Sequence, residues 1–228
     1  MEGSPPNIYI VGAQCTGKTT LVNHLRAYFA NNHHNNNHKH NPIPDGGQPA
    51  LVSEVARGVL KAHHFTARDV RIPSRSLLLQ RLILQAQAAA ERDALQSGEG
   101  GKTWFISDRS GADPIAYCMR YVGHDAARTL AESEEWAELK ERMRQSVVVI
   151  CEVGTGVAGW LKDDGVRLMP VDLEEWTGFH RTFCEFLDGE GVPYEVLSAD
   201  IGAHEERVDF VVKRWEERWR KKPQRNSS

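Results

Sequence analysis

Ile8-Tyr9-Ile10-Val11-Gly12-Ala13-Gln14-Cys15-Thr16-Gly17-Lys18-Thr19 is the stretch on which the reading of this chain turns. The first four residues are an apolar run of the kind that forms a short strand buried on both faces. The next eight match G-x-x-x-x-G-K-[ST], the Walker A pattern of phosphate-binding loops. Leu21, Leu25, Tyr28 and Phe29 then recur at helical spacing. Strand, glycine loop and helix in that order is the context the pattern requires. Gly12 and Gly17 allow backbone angles and close approaches that a side chain would forbid. Along Gly12, Ala13, Gln14, Cys15, Thr16, Gly17, Lys18, Thr19 and Thr20, the backbone N–H groups and the helix N-terminus form a nest for phosphate oxygens. Lys18 reaches the β- and γ-phosphates as a point charge, and the Thr19 hydroxyl suits Mg²⁺.

The pattern continues outward in the same style. Residues 50–53 read as a second strand, with Glu54-Val55-Ala56-Arg57 opening a helix. A long helix is expected over 74–97, capped by Ser74 and stopped at Gly98. Residues 103–107 form a third strand candidate ending in Asp108-Arg109-Ser110, followed by helical stretches over 112–122 and 125–144. Val147-Val148-Val149-Ile150-Cys151 is the fourth strand candidate and Tyr194-Glu195-Val196-Leu197 the fifth. Between them Leu173, Trp176, His180, Phe183 and Leu187 mark a helix over 172–188. Val208, Val211, Val212, Trp215 and Trp219 mark a last one. Strands alternating with helices predict an α/β fold built on a parallel sheet.

A chain of 228 residues, 40% hydrophobic and 26% charged, fits one domain spanning 1–228 with an ordinary core. No apolar run approaches the ~20 residues needed to span a bilayer. The N-terminus is not basic, which argues against a signal peptide. Four cysteines without a C-x-x-C pair suggest reduced thiols and a cytoplasmic or nuclear setting. A net charge of −3 does not mark the chain as a nucleic-acid binder. Residues 31–49 are rich in Asn, His, Pro and Gly and read as a polar insertion; His33, His34, His38 and His40 as a metal site is the weaker alternative. Seven Lys/Arg against two Glu in 213–225 give a basic end, with 220–228 expected to be a disordered tail. A solvated helix face is favoured there over a membrane contact.

Among the charged residues, Asp108 ends an apolar strand, where a Walker B-like acid would sit and help hold Mg²⁺. A helix cap is the alternative. Glu54 follows the second strand, on the crevice side of a parallel sheet, suited to accept a hydroxyl proton or to hold magnesium through water, with a carboxylate favoured by the helix dipole as the alternative; Arg57 lies one turn on as its ion-pair partner. Asp163-Asp164-Gly165-Val166-Arg167 is a glycine turn presenting an arginine, suited either to a lid over a transferring phosphoryl group or to solvent.

The order of these pieces resembles the ribosylnicotinamide kinase domain of NadR and the wider AAA-type ATPase-like P-loop family. The resemblance rests on residues 12–23, Glu54-Val55-Ala56-Arg57, Ile106-Ser107-Asp108-Arg109, Asp113 and Tyr117, 163–167, Phe179-His180, and 192–197. It covers roughly residues 7–215 outside the Asn/His insertion. It implies a kinase-type three-layer P-loop fold: a five-stranded parallel sheet flanked by helices, with the strand ending in Asp108 beside the first strand. It also implies a lid or phosphate-contacting role for Arg167, and a substrate site holding Glu54, Arg57, Asp113 and Tyr117. Where NadR kinases carry a D-T-D type motif, this chain reads Asp108-Arg109-Ser110, closer to the D-R motif of thymidylate-kinase-like enzymes. The expected activity is transfer of phosphate from ATP with Mg²⁺ to a hydroxyl of a small nucleoside-like acceptor. Lys18, Glu54, Asp108, Arg109 and Arg167 would carry the chemistry. The alternative is an ATP- or GTP-binding regulatory module that controls a protein or membrane contact.

Overall fold

The computed structural model describes residues 4–34, 48–96, 103–154, 168 and 170–221. Five strands, β1 (Ile8–Val11), β2 (Ala50–Val52), β3 (Phe105–Asp108), β4 (Val147–Cys151) and β5 (Glu195–Leu197), form one sheet in the order β2-β3-β1-β4-β5. Every pairing is parallel. β1, β3 and β4 are buried along their whole length, which is why they read as unbroken apolar runs instead of alternating ones.

Side chains alternate across β1 and so serve two cores. Ile8 and Ile10 pack with Leu21, Leu25 and Phe29 of α1 (Lys18–His34) and with Val208, Val211 and Trp215 of α8 (His204–Lys221). Tyr9 and Val11 face the opposite layer. There α3 (Pro73–Gln96), α4 (Ala112–Tyr121), α6 (Glu134–Arg144) and α7 (Leu173–Gly189) contribute Leu84, Ile115, Leu139 and Phe183. The result is a three-layer α/β fold. A smaller cluster joins Val59 of α2 (Ala56–Ala62) and Val70 of a 3-10 turn (Ala67–Arg71) to Leu79 and Ile83 of α3.

All five strand expectations hold, with shifts at their ends. β3 runs to Asp108, so this acid is the last residue of the strand, in register with Ile10. The long helix starts one residue before the expected cap, because Pro73 occupies a first-turn position that needs no N–H donor. The single helix expected over 125–144 is two helices, α5 (His124–Ala131) and α6. Ser133 divides them: its hydroxyl donates to Leu130 O at 2.7 Å and accepts from Trp136 N at 3.2 Å, ending one helix and capping the next. α1 continues to His34, so the stretch read as an insertion begins inside a helix; its residues 35–47 lie outside the described residues. Of the tryptophans of the basic end, Trp215 belongs to the core and Trp219 is half-buried beside it. Trp215 stacks on Trp104 with ring centroids 5.0 Å apart, and Trp219 stacks on Trp215 at 6.3 Å.

Candidate active site

The strand order places the ends of β1, β3 and β2 side by side, and the site is assembled from the residues just beyond each. After β1 comes the glycine loop. Gly12 has φ +121°, and a Cβ there would stand 2.8 Å from the backbone oxygen of Cys151, so only glycine fits. Cys15 and Gly17 also take positive φ, of 60° and 80°. The curled loop is held by its own groups: Thr16 Oγ1 donates to Ala13 O at 2.9 Å, and the Lys18 ammonium donates to the same oxygen. Lys18 is only 5% exposed. Burial, reinforced by the Arg109 charge, lowers its pKa from 10.5 to about 8.

After β3 stands Asp108, which accepts a hydrogen bond from Thr19 Oγ1 at 2.6 Å. The two sequence-identified metal candidates are therefore in direct contact. Their donor set is hard oxygen only, the chemistry Mg²⁺ takes.

Arg109 comes next with φ +89° and tethers its own N–H to Ile10 O at 3.0 Å. Its guanidinium is gripped from two sides, by Glu54 Oε1 at 2.7 Å and Asp113 Oδ1 at 3.1 Å. Arg57 Nε donates to the other Glu54 oxygen at 3.1 Å. Burial pushes the Glu54 carboxyl up, but Arg109 and Arg57 outweigh it and hold the pKa at about 2. Glu54 is thus an anion at every physiological pH. Asp113 is fastened as well: Ser110 N donates to its Oδ2 at 2.7 Å and Ser110 Oγ at 3.0 Å. Its burial dominates over Arg109 and Lys18 and raises its pKa.

Two cavities meet at these groups. One is lined by Thr19, Asn23, Ser53 and Asp108, together with Glu54 and Arg57. The other is a cleft with about 650 Å³ of empty space, the open solvent at its mouth included. Glu54 and Arg57 line this one too, with Gln14, Arg109, Asp113 and Tyr117; Leu60, Val70, Leu79 and Ile83 give it an apolar wall. Tyr117 donates to Gln14 Oε1 at 3.2 Å, and its burial raises its pKa to about 12.

Every sequence-identified site residue among the described ones converges here: the loop from Gly12 through Thr20, Glu54, Arg57, Asp108, Arg109, Asp113 and Tyr117. Arg167 lies outside the described residues. Three residues escaped the sequence reading. Trp176 Nε1 donates to Gln14 O at 2.8 Å, anchoring the loop to α7. Arg207, 7% exposed on α8, donates to Thr16 O at 3.1 Å and Ile201 O at 3.3 Å. Gln80 is the third, a buried amide in the cleft wall. Among the described residues no cluster of three or more His, Cys, Asp and Glu could hold a metal ion, and no helix is long and apolar enough to cross a membrane.

The architecture is that of a kinase-type P-loop domain, and comparison with known proteins places it further. The sequence pattern of the AAA domain family matches residues 7–207, and the chain belongs to that family. NadR solved with NR superposes with a TM-score of 0.64 at 20% identity, over 98% of this chain and 54% of NadR. NadR with NAD and AMP-PNP gives 0.60 at 17%, over 98% and 52%. This chain thus spans about half the length of those NadR chains. Deoxyadenosine kinase from M. mycoides with bound dATP gives 0.55 at 14%, over 92% of this chain and 99% of the kinase. No curated protein sequence matches the chain at a significant level.

Proposed function

We propose that this domain is a phosphotransferase that uses MgATP to phosphorylate a hydroxyl of a small, nucleoside-like acceptor. The observation that carries the proposal is the shared edge of the two cavities. Glu54 and Arg57 line both the Thr19–Asp108 side, where a nucleotide's metal would lie, and the apolar-walled cleft, where an acceptor would lie. The NadR and deoxyadenosine kinase structures, solved with NR, with NAD and AMP-PNP, and with dATP, support a nucleotide and a nucleoside-like ligand as what this fold takes.

In this reading the loop N–H groups and Lys18 hold the β- and γ-phosphates, and Thr19 and Asp108 hold Mg²⁺. The metal would supply charge neutralisation between phosphate oxygens. Glu54, fixed by two arginines at a pKa near 2, is a weak base. Its part is to accept a hydrogen bond from the acceptor hydroxyl and aim the oxygen. That suffices where the transition state is loose and catalysis is mainly positioning and electrostatics. Arg109 and Arg57 supply positive charge at the junction, and Arg167 would add it from a lid. The test is ADP release by the purified protein with MgATP and a panel of nucleosides, nicotinamide riboside included, with products identified by mass. Acceptor-dependent ADP and a matching monophosphate are expected, both lost by two orders of magnitude or so in Lys18→Ala. A Lys18→Ala protein working at the wild-type rate, or ADP release indifferent to every acceptor, overturns the proposal.

A further inference from the structure

Helix α3 carries a stripe of buried polar residues on its inward face: Ser76, Gln80, Gln87 and Glu91. The C-terminal half of the stripe is fully engaged. Gln87 Nε2 donates to Glu91 Oε1 at 2.9 Å and to Ser107 Oγ at 3.1 Å. Glu91 Oε2 accepts from Tyr9 Oη at 2.7 Å and from Arg142 Nη1 at 2.6 Å. The N-terminal half is different. Gln80 is 2% exposed, and its amide makes no hydrogen bond among the described residues. One turn earlier the Ser76 hydroxyl is buried with no partner among them.

A primary amide brings two donors and two acceptor lone pairs, and native interiors leave very few such groups unpaired. Gln80 is not sealed in apolar packing, since it lines the cleft that also holds Glu54, Arg109 and Asp113. Its neighbours along that wall are Val70, Leu79 and Ile83, whose side chains offer its polar atoms nothing to bond. The charged groups of the cleft are paired with one another and Gln14 Oε1 already accepts from Tyr117, so both ends of the Gln80 amide are open to a ligand. A neutral, two-way hydrogen-bonding group set in an apolar wall matches a flat ring whose edge carries a donor beside an acceptor. Glutamine pairs with the N6/N7 edge of adenine in this bidentate manner.

We infer that Gln80 is the residue that reads the acceptor. Its amide pairs with a planar donor–acceptor edge, as presented by a nucleobase or by a carboxamide on a ring, while the acceptor hydroxyl lies at the Glu54–Arg109 end. The inference rests on the phosphotransferase reading for its hydroxyl end and adds the chemical class of the acceptor.

The test separates turnover from binding. Adenosine is compared with purine riboside, and nicotinamide riboside with pyridine riboside, so that each pair differs by the edge alone and the two arms distinguish base from carboxamide. Wild-type protein is expected to favour the edge-bearing member of one pair about tenfold or more. Gln80→Leu is expected to abolish that preference, raising the KM of the edge-bearing acceptor about tenfold with little change in kcat. The melting temperature of the ligand-free variant should not fall, because the amide it loses has no bond to give up among the described residues. Retained discrimination in Gln80→Leu overturns the inference, as does a lowered melting temperature with discrimination intact. Calorimetric titration of the same ligands keeps the two readings apart. Edge-dependent binding that needs Gln80 but leads to no turnover retires the phosphotransferase and leaves this assignment standing. Turnover with selectivity indifferent to Gln80 does the reverse. Failure of every edge-bearing ligand to bind wild-type protein also overturns the assignment.

Discussion

Lys18 should make nucleotide binding depend on pH in a range where ordinary P-loop groups are silent. Its ammonium is almost fully buried, and burial and Arg109 bring its pKa down to about 8. Only the charged form attracts phosphate, so above that pH the free protein must take up a proton in order to bind. Bound phosphates raise the pKa again, and the apparent affinity then falls as 1 + 10^(pH − 8). The loss is about twofold at pH 8 and about 30-fold at pH 9.5. Calorimetry with a non-hydrolysable ATP analogue and Mg²⁺ at constant ionic strength measures both the affinity and the proton uptake, expected to approach about one proton at pH 9.5. Lys18→Arg should flatten the profile, because a guanidinium does not titrate there. Affinity constant within about threefold from pH 7 to 9.5, or an equal slope in Lys18→Arg, refutes the reasoning. The same shift bears on stability. Because the folded pKa lies below the unfolded one, holding Lys18 charged costs about 3 kcal/mol below pH 8. That cost is relieved as pH rises from about 8 to 10.5, so the ligand-free protein should gain stability across this window.

The loop and its supports lead to three more expected outcomes. Thr19→Val removes the hydroxyl bonded to Asp108 and should weaken the apparent Mg²⁺ affinity about tenfold in a metal titration, with Thr19→Ser restoring it; unchanged metal dependence would speak against the Thr19–Asp108 site. Gly12→Ala puts a methyl 2.8 Å from Cys151 O at φ +121° and should cost about 1–3 kcal/mol, read as a melting point several degrees lower, along with lost nucleotide binding. Arg207→Met strands the carbonyls of Thr16 and Ile201. It should destabilise by about 1–3 kcal/mol in urea and speed hydrogen exchange of the loop amides, and exchange at the wild-type rate would contradict the tether.

What the sequence disclosed, and what it hid, divides along the range of the interactions involved. β1, its loop and α1 are legible because the motif is local: two glycines, a lysine and a hydroxyl must sit at fixed offsets for the turn to form. Strands buried on both faces announce themselves as apolar runs. The break at Ser133 was hidden, because helical periodicity continues across it and only the cap marks the division. The 3-10 turn at Ala67–Arg71 was hidden too, since its signal is a Thr66–Asp69 capping box with no apolar repeat. Arg207 meets a loop carbonyl 191 positions away, a pairing no local pattern encodes. Gln80 is the sharper case. In a helix recognised by its leucines, a glutamine gives no sign of whether it faces water, a partner or a cleft; only the packing decides. The same logic explains why Glu54 and Arg109 were identified separately and their union was not. They are 55 positions apart, and the order β2-β3-β1 alone makes the ends of their strands neighbours. That order sets the Glu54 anion beside Arg109, and the pairing holds Glu54 ionised while leaving it a poor base. A carboxylate so placed has little proton affinity to offer and a fixed direction to impose, so under the proposed phosphotransferase function the topology argues for alignment of the acceptor over proton abstraction from it.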